Sequence, residues 1–190
     1  MKKISAPRLL IAAVIWVVLY VAASSCGLIH PVCYAYAGTF LPLLFAPVYL
    51  LAAANCRSFG AAAALNGFTL IVGLLMGEGN PPFIIGLIVL TGLAELIRYL
   101  CGYDTKNGVR RSFIPPAFSF YAYAAHWWTD TEGSLAAAME EMPAGYADKM
   151  VPVIENTPLL AVMLVLTVPA AILGMRLAEK LLKKQAAALK

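Results

Sequence analysis

Residues 8–25 read RLLIAAVIWVVLYVAASS. After Arg8 the run carries no charge, and at 1.5 Å per helical residue it nearly matches a hydrocarbon core about 30 Å thick. The lead from Met1 to Arg8 is basic, as in a secretory signal, but the apolar run extends well beyond a short h-region and further apolar runs follow at once. It reads as a first membrane span. Working outward, similar runs cover 36–55, interrupted by Pro42 and Pro47, then 59–76, 83–100 after Pro81-Pro82, 115–128 opening on Pro115-Pro116, and 158–182. Proline is tolerated in a first helical turn, where its missing N–H has no intrahelical partner to lose. Pro169, inside the last run, predicts a kink. The expected fold is an all-α membrane protein: one integral domain over 1–190, a bundle of six transmembrane helices.

Composition agrees. Of the 190 residues 62% are hydrophobic and only 13% charged, about half the charged fraction of a soluble domain. A soluble chain of this length could not cover itself with so few polar groups, whereas lipid is the natural solvent for such a surface.

The placement of charge says more than the net +4. Lys2, Lys3 and Arg8 precede the first run, and Arg57 lies between the second and third. Arg98, Lys106, Arg110 and Arg111 surround the fourth-to-fifth connection. Arg176, Lys180, Lys183, Lys184 and Lys190 close the chain. With six spans, only Lys149 of the 14 basic residues falls on the opposite side. The positive-inside rule then puts both termini in the cytoplasm of a bacterial cell, with the chain multi-pass in the inner membrane. Five or seven spans would destroy the asymmetry. The opposite face is acidic: Glu78, Asp130, Glu132, Glu140, Glu141, Asp148 and Glu155. Basic residues flanking apolar runs set topology, so nucleic acid is not an expected partner.

The long outer connection, about 129–157, contains Leu135, Met139 and Met142 at i, i+4, i+7. This spacing predicts a short amphipathic helix on the bundle or at the interface, ended by Pro143-Ala144-Gly145.

Motifs for chemistry are sparse. There is no G-x-x-x-x-G-K-[ST], no H-E-x-x-H and no G-x-S-x-G, so no catalytic residue is assigned and the chain is not expected to be an enzyme. Glu95 and Arg98 share a helix face at i, i+3 and are expected to neutralise each other; a proton-relay role for Glu95 is the functional alternative. Cys26, His30 and Cys33 form C-x3-H-x2-C, open to a disulfide, a metal or plain loop residues; no metal is assigned. The turn Met76-Gly-Glu-Gly-Asn-Pro-Pro82 is either a tight turn or a ligand contact through Glu78 and Asn80. Aromatic residues crowd the outer half and form either an interfacial belt or a stacking pocket for a flat or amphipathic molecule. On the pocket reading the candidates are His30, Tyr34, Tyr36, Phe118, Tyr121, His126 and Trp127, with Phe118, Tyr121 and His126 broadly on one helical face. The small residues of the third run, including Ala63-x-x-x-Gly67 and Gly73-x-x-x-Gly77, allow close helix packing within the bundle or against another membrane protein.

From Gly67 the chain reads GFTLIVGLLMGEGNPPF, then GLAELIRY, then a basic loop to Arg111; near its end it reads AILGMRLAEKLLKK. These stretches resemble the Trep_Strep family of bacterial integral membrane proteins, which in turn looks like the substrate-specific S components of energy-coupling factor transporters. The resemblance implies a six-helix protein that captures a micronutrient outside the cell. It implies partners too: a membrane T component and two cytoplasmic ATPases that use the ATP, so that this chain binds no cofactor. The S component is thought to topple in the membrane to release its ligand. S components often meet the T component through A-x-x-x-A in the first helix. Here Ala12 and Ala13 are followed by Trp16 and Val17, and Ala23-x-x-x-Gly27 lies at the wrong end. The substitute docking candidates are Ala12, Ala13, Ala63, Gly67, Glu95 and Arg98. The rival readings are a stand-alone transporter or channel, for which Glu95 is the one candidate for ion coupling, and a membrane enzyme or assembly factor.

Overall fold

A computed structural model describes residues 6–189; Lys2, Lys3 and Lys190 of the basic set lie outside the described residues. The chain is helical throughout the described residues, with no strand. Four helices are long and apolar enough to cross a membrane: α1 (Ala6–Ser25, extended by a 3-10 turn at Cys26–Leu28), α2 (Pro31–Asn55), α4 (Pro81–Cys101) and α10 (Thr157–Leu181). The shorter apolar helix α3 (Ala61–Leu75) lies between α2 and α4 in sequence. The protein is a multi-pass integral membrane protein.

Each long helix divides into two faces. In α1, Ala12, Ala13, Trp16 and Tyr20 are buried, while Leu10, Val14, Ile15 and Val18 are exposed, as a lipid-facing stripe should be. α2 is the central helix. It packs along α10 and α1, and most of its residues are buried. It starts at Pro31, five residues before the expected Tyr36, because the His30 ring accepts a hydrogen bond from Val32 N and so caps it. It also runs unbroken through Pro42 and Pro47. α10 approaches it very closely: a Cβ on Gly174 would lie 2.6 Å from the Pro42 carbonyl oxygen, so only glycine fits there.

The fifth apolar run does not form the continuous helix expected over 115–128. It is broken into a 3-10 turn (Pro116–Phe118), α6 (Ser119–Ala124) and α7 (His126–Thr129). Ala117, Phe120 and Ala124 are fully buried. This burial permits the irregular start of the segment. Irregular backbone inside a helical bundle is tolerated where protein can satisfy its polar groups. Here Tyr20 donates to the Ser119 carbonyl at 2.9 Å, and Ser119 Oγ lies 2.6 Å from the Pro116 carbonyl and 3.1 Å from Asn66 Oδ1.

At the basic end, α5 (Lys106–Ser112) follows α4, capped by Thr105, and α11 (Lys183–Ala187) follows α10. Arg110 meets Glu179 there in a two-pronged ion pair. Glu95 and Arg98 are both buried in the same region, but they do not bond to each other as expected. Glu95 Oε1 accepts from the Ala62 and Ala63 N–H groups in the first turn of α3. Arg98 donates to the carbonyls of Cys56 and Tyr103, with a longer contact to Ala53. Each charge therefore faces the helix terminus of opposite polarity: carboxylate at the N-terminus of α3, guanidinium at the C-terminus of α2.

The acidic end carries two helices outside the bundle: α8 (Thr131–Glu141), capped by Asp130, and α9 (Tyr146–Glu155). The expected hydrophobic face of α8 packs inward in part, with Leu135 and Met142 half-buried against the core. Met139 is exposed, and the small residues Ser134 and Ala138 are buried instead. Short side chains let α8 settle closely against α7 and α9. α9 buries Tyr146, Met150, Val153 and Ile154, and the Tyr146 hydroxyl donates to the Gly27 carbonyl at 2.7 Å. Burial, with a smaller contribution from Cys33, raises the Tyr146 phenol above its ordinary range, so it stays a donor at neutral pH.

Candidate functional site

A cavity of about 520 Å³ opens at the acidic end, roofed by α8 and the connection to α9. Glu78 and Tyr123 line it, and both also line a narrower recess of about 70 Å³ that runs inward among Val17, Tyr20, Thr69 and Phe83. The two spaces thus share a polar mouth at Glu78.

The α3–α4 turn positions that carboxylate. Gly77 takes φ +85°, which only glycine adopts readily, and the Glu78 N–H donates to the Gly73 carbonyl at 2.9 Å. Asn80 does a different job: its Oδ1 accepts from Phe83 N at 2.9 Å and caps α4. It does not line the cavity.

The opposite wall is aromatic. Tyr34 of α2 stacks on Trp127 of α7, with ring centroids 4.6 Å apart, and Tyr123 meets Tyr34, Phe83 and Phe120 edge-on. His126 is held from both sides, by the Tyr34 hydroxyl at Nε2 (3.2 Å) and by Ser134 Oγ at Nδ1 (3.0 Å). Ser134 Oγ also lies 3.1 Å from the His126 carbonyl, to which it can only donate. The serine proton being so engaged, Nδ1 donates to Ser134 and Nε2 accepts from Tyr34, which is one neutral tautomer. This chain of bonds joins α2, α7 and α8, so the roof is tied to the bundle through the cavity wall.

Of the residues singled out in the sequence, the cavity gathers Glu78, Tyr34, His126 and Trp127. It does not gather the others. His30 and Tyr36 border a separate depression of about 390 Å³ between α2 and α9. Tyr121 turns the other way, its hydroxyl 2.5 Å from Thr39 Oγ1 on α2, so it shares no face with His126. Phe118 lies in the 3-10 turn at the start of the broken segment, away from the cavity. Cys26 and Cys33 are free thiols; Cys26 Sγ faces the Ala22 carbonyl, and no metal-binding cluster of His, Cys, Asp and Glu occurs among the described residues.

Sequence reading missed Tyr123, Ser134, Glu141 and Tyr146 as cavity residues. Part of the signal was there. Ser134, Ala137, Ala138 and Glu141 recur at i, i+3, i+4, i+7, a small-residue face that a search for apolar periodicity passes over.

The docking candidates also divide. Ala12, Ala13, Glu95 and Arg98 are buried inside the bundle and cannot offer a surface. Ala63 and Gly67 border an open groove of about 280 Å³ between α3 and α4.

The chain is a helical, multi-pass membrane protein with a polar and aromatic cavity at one end. More narrowly, it belongs to the Trep_Strep family of hypothetical bacterial integral membrane proteins, whose model matches residues 8–187. That match reaches from α1 into α11, well beyond the stretches that first suggested it. No curated protein and no solved structure matches the chain.

Proposed function

We propose that this protein is the substrate-binding S component of an energy-coupling factor importer in the bacterial cytoplasmic membrane. On this reading the broken segment 116–129 is a fifth pass and α3 another, giving six passes with both termini inside. The basic end then faces the cytoplasm and the acidic end faces outward. The cavity at the acidic end carries the reading: it lies within the size range of small-molecule sites, and it pairs aromatic walls with a few fixed polar groups. The chain would bind and release a micronutrient without transforming it, and a T component with two ATPases would supply the energy. Ala63 and Gly67, which border the α3–α4 groove, are the docking candidates left on the surface.

Two measurements test this. Co-expressed with a T component and its ATPases, the tagged chain should co-elute with them from mild detergent. Native mass spectrometry of the chain alone should show a bound small molecule that is lost when Ala137, on the cavity side of α8, is replaced by tryptophan. Uptake that persists without any association in several detergents would overturn the importer role. A bound molecule unaffected by Ala137→Trp would overturn the site.

A further inference from the structure

Resting on the reading of this cavity as the ligand site, we propose that its ligand is a small organic cation: a protonated or quaternised nitrogen carried on or beside a flat ring. Charge is the first reason. Glu78 and Glu141 line the cavity, and no lysine or arginine among the described residues does. The one basic side chain there, His126, has both ring nitrogens engaged by Tyr34 and Ser134 in a network that fits a neutral ring. An anion entering this space would meet two carboxylates and no counter-charge, at reduced effective dielectric. A neutral guest would leave Glu78 to be desolvated with no opposite charge, its partner in the wall being the Tyr123 hydroxyl alone.

Shape is the second reason. The half-buried Tyr123 ring, beside the edges of the stacked Tyr34–Trp127 pair, makes this wall electron-rich, a surface that attracts cations. Glu78 stands at the junction of the cavity and the recess, on a backbone held by the bond from its own N–H to Gly73. A ligand could therefore set its charge at Glu78, lay its ring along the aromatic wall and place a small apolar substituent in the recess beside Phe83 and Tyr20.

The test is a charge series at nearly constant shape. Phenethylammonium, 2-phenylethanol and 3-phenylpropanoate are titrated into the full-length protein in detergent, and binding is read by calorimetry and by the shift in thermal unfolding. Phenethylammonium should bind at least about tenfold more tightly than the alcohol, with the carboxylate weakest. Glu78→Gln should weaken the cation about tenfold and leave the alcohol unchanged. Ala137→Trp should abolish both. Equal binding of alcohol and cation, preferred binding of the carboxylate, or indifference to Glu78→Gln would each overturn the cationic class while the cavity reading survives. Binding of every probe unaffected by Ala137→Trp would instead remove the cavity as the site. Failure of all three probes to bind would also count against the proposal, and a neutral or anionic co-purifying molecule would overturn it.

Discussion

The two ends of the bundle treat their carboxylates in opposite ways. At the basic end, Glu95 is buried and bonded to the first turn of α3. Arg98 beside it closes the last carbonyls of α2. At the acidic end, Glu78 and Glu141 are exposed to a cavity and cap no helix. The polar groups around them bond across elements, Tyr34 to His126 to Ser134, and leave space in front. A buried charge that completes a helix terminus serves the fold. A charge held at the mouth of a void, with the backbone beneath it fixed, is available to something else. Residues of the same type thus differ in role because of what their neighbours leave unfilled.

The sharpest way to break this contrast is at Arg98. Arg98→Met keeps much of the side-chain volume but leaves the Cys56 and Tyr103 carbonyls without their donor and Glu95 buried without a nearby positive charge. The expected loss is about 3 kcal/mol or more, read as a large drop in the thermal midpoint in detergent. Arg98→Lys should recover part of the loss, because all the carbonyl contacts come from one terminal nitrogen, Nη2, which an ammonium of slightly shorter reach can stand in for. A near-native midpoint for Arg98→Met would mean that the basic end is not held together by its buried charges.

Next in size is a change that involves no charge. Gly174→Val would drive a side chain into the Pro42–Leu43 backbone and separate α10 from α2. About 1–3 kcal/mol is expected, again by thermal unfolding. The loss should occur in ligand-free protein, which marks this contact as part of the fold common to both ends.

These two predictions also mark where sequence reading succeeds and stops. α1, α4 and α10 were legible to within about two residues, because lipid-facing helices show their length as unbroken apolar runs. The acidic and basic faces were legible for the same reason. The broken segment 116–129 was not: buried on its sides, it can interrupt its own helix and borrow partners from Tyr20 and Asn66, which hydropathy cannot reveal. Glu95 and Arg98 looked like a pair at i, i+3, but Glu95 is claimed by the start of α3 and Arg98 by the end of α2 together with Tyr103, so that most of their partners are far away in sequence. In the site, Glu78 and His126 stood out as rare polar residues. Ser134 did not, because its role depends on α8 folding back over α7, a tertiary event with no local signature.

A smaller effect is expected at the wall of the cavity. Tyr34→Phe keeps the ring that stacks on Trp127 and removes the hydroxyl that meets His126 Nε2. The stability loss should be about 1 kcal/mol, and the roof helix α8 should exchange its amide hydrogens faster, since one link between α2 and α8 is gone. Hydrogen exchange by mass spectrometry checks this. Faster exchange confined to α2, with α8 unchanged, would show that the roof does not depend on the Tyr34 link.

The smallest expected change in stability carries the most information about the acidic end. Glu78→Gln removes a charge from an exposed side chain that caps no helix, and it leaves the Gly77 turn and the Glu78 N–H bond to Gly73 untouched. The unfolding midpoint should move by no more than about 0.5 kcal/mol in free energy, in either direction. Relief of repulsion with Glu141, which shares the cavity, would favour a slight gain. A loss comparable to that of Arg98→Met would mean that Glu78 supports the fold as Glu95 does, and the distinction between the two ends would fail. A neutral result shows that the fold does not depend on the Glu78 charge, which leaves that charge free to meet a ligand.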